Sequence, residues 1–386
     1  MSAEQSSRES CVVWGGYGYG NTGDDLLLAI AVADLRQHYG DNIQILSPAP
    51  EQTRLYLRDA AIVLHPSSRP RRAWEKWLWR LAECAEKAQL IPLADRLHRA
   101  IMKNAERLSD EPTWLKAMAC ASRLHLAGGG YLTDRFHLRH FLRPMRLARS
   151  RGIPITTSPL GLGPFQNPAN AAAVARCLRG AKLIVRDEDS LRYCQAQGLS
   201  VIEQPDDGFR WKQMIDTPAP SASTADRILG VCIFSQYSDQ WSDRVERWWV
   251  DSLRGLSRAW PDYKLEGFCF HTQPDMDYET TRRLFARAEL DSNDVQPPHS
   301  DYRAALANLA RYQGILSSRF HAVVTGSAIH IPCVATALDT YYEAKMRAAL
   351  KYAPAPVLIL NPAHDSAHAA AEWVAGQFRS PLRSKA

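Results

Sequence analysis

The chain has 386 residues, enough for two domains of ordinary size, and its 46% hydrophobic and 23% charged content is typical of globular proteins. Its first residues are polar and no run approaches about 18 apolar residues, so we expect neither a signal peptide nor a membrane-spanning helix. The net charge of +6 is compatible with anionic small molecules, an anionic membrane face or nucleic acid.

The eight cysteines contain no CxxC pair and lie mostly within apolar runs. This pattern predicts reduced core residues, as in a cytoplasmic protein. No group of His, Cys and carboxylate residues has the spacing of metal ligands, so we expect no metal and no resident cofactor.

The first predicted strand, residues 11–14, is followed by the glycine-rich turn GGYGYGNTGDD and by a helix over residues 26–36. Gly18, Gly20 and Gly23 satisfy the GxGxxG pattern of dinucleotide-binding folds. That pattern requires a strand before the turn and a helix after it, and both are predicted here.

Two features nevertheless disfavour a dinucleotide site. The second predicted strand, residues 43–46, ends in Ser-Pro-Ala-Pro and not in the acidic residue that holds a ribose. Asp24 and Asp25 would stand at the helix N-terminus, where a pyrophosphate normally binds. Two carboxylates there favour interaction with the helix dipole or with a hydroxyl-bearing ligand.

A basic, tryptophan-rich segment at residues 69–103 contains nine Lys or Arg against four Asp or Glu. It predicts an amphipathic helical insertion at about residues 66–115, for which two interpretations are open. In one, a tryptophan face packs on the domain and the basic face is solvated; in the other, the helix rests on anionic lipid. Helical spacing does not place Trp74, Trp77 and Trp79 on one face, so part of this aromatic surface is predicted to be core.

A second glycine-rich turn lies in residues 122–134, where a predicted strand is followed by Gly129, Gly130 and Asp134. No acidic residue occurs between Asp134 and Asp187, and we expect the following helix to bind a phosphate group. The helix is predicted to carry a ladder of arginines on one face: Arg135, Arg139, Arg143, Arg146 and Arg149.

The remaining pattern of strands and helices predicts an α/β protein with two doubly wound, Rossmann-like parallel-sheet domains that face a cleft. The strand at residues 181–185 ends in Arg186. The sequence TPAPSASTA reads as a linker. The predicted divisions are an N-terminal domain (1–216), the linker (217–225), a C-terminal domain (226–362), and a closing helix with its tail (363–386).

The segment of residues 315–345 places a cation and an imidazole between a strand and a helix. A short apolar run ends near Ser318, and a small, apolar helix begins after Arg319, with His321 in its first turn. Ligands of open α/β sheets bind at this edge, where helix N-termini attract anions. Residues 339–345 are predicted to form a polar loop that ends at Lys345 and closes over the site. The alternative is a buried histidine beside an arginine in a structural ion pair.

Four segments, taken in order, resemble the polysaccharide pyruvyl transferase family. They are GGYGYGNTGDD, AGGGYLTD with its basic helix, VRDEDS, and SRFHAVVTGSAIHIPCVATALD with Lys345 shortly after, and they span residues 15–345. The resemblance implies a GT-B-like architecture. It also implies transfer of pyruvate from phosphoenolpyruvate to sugar hydroxyls as a ketal, in the biosynthesis of cell-surface polysaccharides. The chain departs from the family's usual Gly-Asp-Glu at Asp25, and the insertion has no counterpart that we can place.

The resemblance implies donor and proton-transfer roles for Arg186, Arg319 and His321. A donor with a carboxylate and a phosphate needs two fixed cations, and an imidazole is suited to be the general acid. The acceptor base is expected among Asp24, Asp25 and Asp134. The candidate substrate-binding residues are Asn21, Gly23, Asp24, Asp25, Gly129, Gly130, Asp134, Arg139, Ser318 and Lys345.

Two other functions stay open from the residues: a GT-B glycosyltransferase with a nucleotide-sugar donor, and a ligand-binding relative without catalysis. Nucleic acid is not expected, because the arginine ladder lacks interleaved aromatic residues. The expected acceptor is a sugar or a lipid-linked glycan. A lipid-linked acceptor would bring the protein to the inner face of the membrane through its basic segments, among them Arg69, Arg71, Arg72, Lys76 and Arg80.

Overall fold

The computed structural model describes residues 9–58, 60–64, 73–108, 114–213, 227–235 and 242–379. The predicted linker at residues 217–225 lies outside the described residues, as do Arg69, Arg71 and Arg72 of the basic insertion. Across the described ranges, no helix combines the length and apolar character that a membrane-spanning segment needs.

The chain divides into two compact units. The first comprises the chain up to Tyr19 together with Leu27–Asp207, and the second comprises Gly20–Leu26 and the chain from Gly208 onward. The sequence predicts a first domain of residues 1–216, which includes residues 20–26. Assignment of the short segment depends on contacts with residues far along the chain, which local patterns do not record.

The first unit is built on short strands that pair in parallel. In the strand numbering below, one sheet has the order β3-β2-β1-β4-β6 and another has the order β5-β7-β8-β9. The described strands of this unit are β1 (Cys11–Trp14), β2 (Ile43–Ser47), β3 (Ala61–Leu64), β4 (Arg123–Leu126), β5 (Gly129–Leu132), β6 (Ile155–Thr157), β7 (Leu160–Leu162), β8 (Leu183–Val185) and β9 (Val201–Glu203).

Helices connect these strands, and several begin at residues that cap them. Asn167 accepts a hydrogen bond from the Ala169 amide, and Asp187 accepts one from the Ser190 amide. The described helices are α1 (Thr22–Tyr39, which begins in the second unit), α2 (Pro50–Tyr56), α3 (Ala73–Lys87), α4 (Ile91–Leu108), α5 (Trp114–Cys120), α6 (Leu138–Arg151), α7 (Pro168–Leu178) and α8 (Glu188–Ala196).

The second unit contains one parallel sheet with the order β11-β10-β12-β13-β14. Its core includes fully buried Trp249 and Phe285. The described strands are β10 (Ile228–Cys232), β11 (Lys264–Gly267), β12 (Gly314–Ser317), β13 (Cys333–Thr336) and β14 (Val357–Leu360). The described helices are α9 (Asp243–Ala259), α10 (Tyr278–Arg287), α11 (Tyr302–Leu309), α12 (Phe320–Ala328), α13 (Thr340–Leu350) and α14 (His368–Arg379).

Both five-stranded sheets have a point where the strand order reverses. It lies between β1 and β4 in the first unit and between β10 and β12 in the second. The carboxyl ends of these strands lead into the two glycine-rich turns and into the segment of Arg319 and His321. Ligands of doubly wound folds bind beyond the strands at such a point.

A predicted turn and a predicted loop are regular elements in the structure. The glycines at 129 and 130 begin strand β5, and the loop at residues 339–345 is mostly helix α13. Strands of three or four residues are too short to show an alternating pattern, which explains the first difference. Asp339 caps α13 by accepting a hydrogen bond from the Tyr342 amide, which fixes the start of this helix.

Candidate functional site

The carboxyl end of β12 is fixed by hydroxyl groups. The Ser317 hydroxyl donates to the Cys232 carbonyl and accepts from the Arg319 amide. The Ser318 hydroxyl accepts from the Phe234 amide and donates to the Phe234 carbonyl. Ser318 therefore joins the ends of β10 and β12, and its hydroxyl serves the backbone.

Arg319 is the N-cap residue of α12, but its side chain turns to a carboxylate and not to the helix. Its Nε donates to Asp277 Oδ1 over 2.8 Å, and a terminal nitrogen lies 2.6 Å from the same oxygen. The other carboxylate oxygen of Asp277 accepts from the Phe270 amide. The guanidinium carbon also lies 3.7 Å from the centre of the Phe234 ring. This pair fixes Arg319 and offsets its charge.

His321 lies in the first turn of α12 and is buried. A Cβ atom on Gly23 would overlap the imidazole ring, so the absence of a side chain at this position permits the contact. Gly23 belongs to the first turn of α1, where its amide donates to Asn21 Oδ1. The N-terminal turns of α1 and α12 thus meet at the His321 ring, and helix N-termini carry partial positive charge.

The α1 turn also contains the predicted aspartates. Asp25 is buried and Asp24 is half-buried. Asp25 lies close enough to Tyr302 to affect it: burial raises the pKa of this phenol, and the charge of Asp25 contributes in the same direction. Tyr302 is buried in α11. It carries no motif and was not predicted as part of the site.

Lys345 lies on α13 and is surrounded by aromatic rings. Its Nζ is 4.9 Å from the centre of the Phe320 ring, 6.0 Å from that of Tyr341 and 5.7 Å from that of Tyr342. Phe320 in turn packs edge-to-face on His321, with ring centres 4.9 Å apart. One aromatic ring therefore separates the ammonium group from the imidazole.

Arg186 lies in the first unit, where it follows β8. It is 1% exposed, and its guanidinium donates to buried Asp206 over 2.6 Å. A Cβ on Gly161 would lie 3.1 Å from a terminal nitrogen of this arginine. The glycine thus leaves room for the guanidinium, and Arg186, like Arg319, forms an ion pair with a buried carboxylate.

Asp134 has a structural role. One of its carboxylate oxygens accepts from the Asn167 amide and the other from Asn170 Nδ2, over 2.8 and 2.6 Å. These bonds join the segment after β5 to the start of α7. Gly129 pairs with Leu160 across the sheet and has φ of 128°, a conformation that favours glycine; Gly130 is half-buried in the same strand.

The arginine ladder does not have the role that we expected. Arg135 precedes α6, whose first residue is Leu138. Arg139 pairs with Glu83, and the Arg143 guanidinium carbon lies 5.1 Å from the centre of the Trp79 ring. Arg146 pairs with Glu86 and Arg149 with Asp95. Because carboxylates already bind these arginines, the structure contradicts the expected phosphate-binding ladder. These partners belong to the insertion, whose acidic side chains pair with three of the α6 arginines.

In the second unit, the structure brings Gly23 of the α1 turn to His321 of the strand–helix boundary. Phe320 connects Lys345 to the same boundary, and Asp277 joins it through Arg319. The other predicted residues, Arg186, Gly129, Gly130, Asp134 and Arg139, belong to the first unit. Among the side chains that the structure describes, no three His, Cys, Asp or Glu residues come together in a way that would hold a metal ion.

Asp277 was missed because a single aspartate 42 residues from Arg319 gives no local signal. The available signals were two: Asp277 follows the strand β11, and a buried arginine requires a carboxylate partner. Neither identifies which of several aspartates is the partner.

Comparisons with solved structures show similarity along almost the whole chain. The UDP-GlcNAc 2-epimerase from Neisseria meningitidis bound to UDP-GlcNAc has a TM-score of 0.59 at 12% identity, over 97% of this chain and 92% of that one. The UDP-GlcNAc 2-epimerase from Methanocaldococcus jannaschii in complex with UDP-GlcNAc and UDP has a TM-score of 0.55 at 8% identity, over 97% and 93%. At these identities the similarity shows the fold, and the expectation of a GT-B-like α/β protein with parallel sheets is confirmed.

A comparison with curated protein sequences gives no match. The family model of polysaccharide pyruvyl transferase matches residues 21–340. This range covers most of the chain and includes the α1 turn, Arg186, Arg319 and His321. The protein therefore belongs to the polysaccharide pyruvyl transferase family, which is a family of transferases.

Proposed function

We propose that the protein transfers pyruvate from phosphoenolpyruvate to hydroxyl groups of a sugar or glycan in the biosynthesis of a cell-surface polysaccharide. The observation that carries the proposal is the meeting of two helix N-termini at His321, beside Arg319. Such a place combines positive potential with a group that can donate a proton.

The charges of the second unit can serve a donor that carries a carboxylate and a phosphate. A guanidinium has five N–H donors, and Asp277 engages one edge of Arg319. Among the described residues, Asp277 is the carboxylate with which Arg319 forms an ion pair, and it occupies one edge of the guanidinium. Because the Arg319–Asp277 pair is close to neutral, Lys345 and the helix termini would supply the further positive charge.

Each step of the proposed reaction is balanced. The oxygen of the first acceptor hydroxyl bonds to C2 of the donor while C3 takes a proton from His321. The proton lost by that hydroxyl passes to a base and restores the histidine. The oxygen of a second hydroxyl then bonds to C2, the C2–O bond to phosphate breaks, and phosphate leaves with the second hydroxyl proton. The products are a ketal and inorganic phosphate.

The acceptor base is best sought on the α1 turn. Both oxygens of Asp134 already accept hydrogen bonds from Asn167 and Asn170, whereas Asp24 and Asp25 share the turn of Gly23 that touches His321. The acceptor that we propose is a sugar or a lipid-linked glycan in the cytoplasm.

The test is an assay of phosphate release with purified protein, phosphoenolpyruvate and a panel of free and lipid-linked glycans. Wild type is expected to release phosphate only when a suitable acceptor is present. His321→Ala should lower kcat, and Arg319→Ala should raise the KM for phosphoenolpyruvate. Turnover at the wild-type rate in both variants would refute the site. Donor binding without phosphate release on any acceptor would favour a non-catalytic binding protein.

A nucleotide-sugar donor is the second candidate, because the similar epimerase structures are described as bound to UDP-GlcNAc. Thermal stabilisation distinguishes the two donors. We expect phosphoenolpyruvate to raise the melting temperature and UDP-GlcNAc to leave it unchanged. The opposite result would favour a GT-B glycosyltransferase.

A further inference from the structure

The charged side chains of helices α3 and α4 in the insertion differ in burial and in pairing. Among their described side chains, the acidic ones are Glu83, Glu86 and Asp95, and all three pair with arginines of α6. Glu83 and Glu86 are 7% exposed. The acidic residues thus face α6 and offset the charge of three of its arginines.

The basic side chains of the same helices face solvent. On α3, Lys76, Arg80 and Lys87 are exposed and follow one another at intervals of four and seven residues. Such intervals keep them within a narrow arc of the helix. On α4 the exposed basic residues are Arg96, Arg99 and Lys103, of which Arg99 donates a hydrogen bond to the Ser150 carbonyl of α6. The outer surface of the helix pair is therefore cationic.

Large apolar side chains are exposed on the same helix pair. Trp77 is 61% exposed and lies one helical turn before Arg80. Leu90, between the helices, and Leu93, in the first turn of α4, are 53% and 46% exposed. Trp79 is 2% exposed and packs on Trp114 and His98, so the tryptophans divide between core and surface, as predicted.

We infer that the outer surface of α3 and α4 docks the protein on an anionic lipid bilayer. A cationic surface with an exposed tryptophan and two leucines matches the interfacial region of such a bilayer, where apolar side chains enter and basic ones meet the headgroups. Because the acidic side chains pair with arginines of α6, they exert little repulsion on the anionic lipid headgroups. The inference goes beyond the proposed reaction, because docking requires neither donor nor acceptor.

The test is co-sedimentation of the full-length protein with vesicles of phosphatidylcholine alone or mixed with phosphatidylglycerol. Wild type should bind the anionic vesicles only, and binding should weaken as salt rises. Each basic residue near such a surface contributes about fivefold in affinity, so Lys76→Gln/Arg80→Gln/Lys87→Gln should weaken binding roughly 100-fold. Trp77→Ser should weaken binding to the same vesicles without changing its salt dependence.

A matched control removes the same charge elsewhere. Arg192→Gln/Arg254→Gln/Arg283→Gln changes three arginines of surface ion pairs and should bind vesicles as wild type does. Thermal melting checks that each variant is folded. An equal loss of vesicle binding in both triple variants would show that only the net charge matters, and it would overturn the inference. So would equal binding to neutral vesicles, or displacement of wild type from anionic vesicles by single-stranded RNA at equal phosphate concentration.

Discussion

The contact between Gly23 and His321 depends on a single missing side chain. The glycine lets the first turn of α1 reach the imidazole, and any Cβ there would overlap the ring. The histidine is buried, so it has little space in which to move away. The position of the imidazole is therefore set by a residue about 300 positions away in sequence, and we expect catalysis to depend on both.

Gly23→Ala tests this dependence. The added methyl group should displace the imidazole or the α1 turn by about 1 Å and lower kcat roughly 100-fold, since proton transfer requires close alignment. Phosphate release measures the effect. The control is Gly376→Ala, where a Cβ would meet nothing within 4 Å, and it should retain wild-type activity. Full activity of Gly23→Ala would show that the contact does not position His321.

Asp277 is expected to act through Arg319. Asp277→Asn would leave a mostly buried guanidinium without a formal counter-charge, a change that costs about 3 kcal/mol in unfolding free energy for pairs of this kind. It should also raise the KM for phosphoenolpyruvate, because Arg319 loses its fixed orientation. Urea unfolding and phosphate release report the two effects. Asp251→Asn, on the exposed face of α9, should change neither; an Asp277→Asn enzyme with unchanged KM would contradict the positioning role.

Local sequence was sufficient to place Arg319 and His321 at a strand–helix boundary, where the structure has them. It was not sufficient for their neighbours. Asp277 and Tyr302 reach the site through tertiary packing, and a lone aspartate or tyrosine has no pattern. Local sequence also does not predict the partners of Arg146 and Arg149, since the acidic residues that they contact lie on other helices.

At the scale of elements, the packing of α4 on α6 buries a titratable group. His98 is fully buried against Trp79, and burial lowers its pKa to about 3, with Arg146 and Arg149 acting in the same direction. The folded protein therefore holds this imidazole neutral. The unfolded chain takes up a proton below about pH 6.5, so acid favours unfolding.

The stabilising effect of neutral His98 is thus fully present above pH 6.5 and is lost as pH falls toward 3. While only the unfolded chain takes up this proton, the unfolding free energy should fall by about 1.4 kcal/mol per pH unit on its account. His98→Phe should unfold with a weaker dependence on pH between 6.5 and 4 than wild type. His38→Gln, at an exposed position of α1, should keep the wild-type dependence. Parallel pH profiles for His98→Phe and wild type would contradict this assignment.

Prediction succeeded where an element has a clear boundary and composition, and it failed for the shortest strands and for helix α13. The helix at residues 320–328 has the predicted bounds, because an apolar segment without proline or charge follows a clear boundary. Strands β7 and β9 have three residues each and were not predicted. As a result, the four-stranded sheet of the first unit was not anticipated. Its pairing depends on neighbours that sequence periodicity does not identify.

At the scale of the whole molecule, the donor should stabilise the folded chain. Phosphoenolpyruvate, the proposed donor, should at 100 times its Kd raise the unfolding free energy by about 2.7 kcal/mol, as expected for a ligand that binds only the folded state. The melting temperature should rise for wild type and rise less for Arg319→Ala. Pyruvate or inorganic phosphate alone should have smaller effects, since each presents one of the two anionic groups. A full shift with phosphate alone would argue against recognition of the donor carboxylate.

The assignment of Gly20–Leu26 to the second unit has a consequence for synthesis on the ribosome. This segment emerges early, but His321 and the Phe270 carbonyl, which accepts a hydrogen bond from the Thr22 amide, are translated much later. At about 5 to 20 residues per second, roughly 15 to 60 s separate translation of Gly23 from that of His321. The first turn of α1 must wait for these partners during that time. A nascent chain can thus fold much of its first unit early, yet the proposed donor site assembles only when translation is nearly complete.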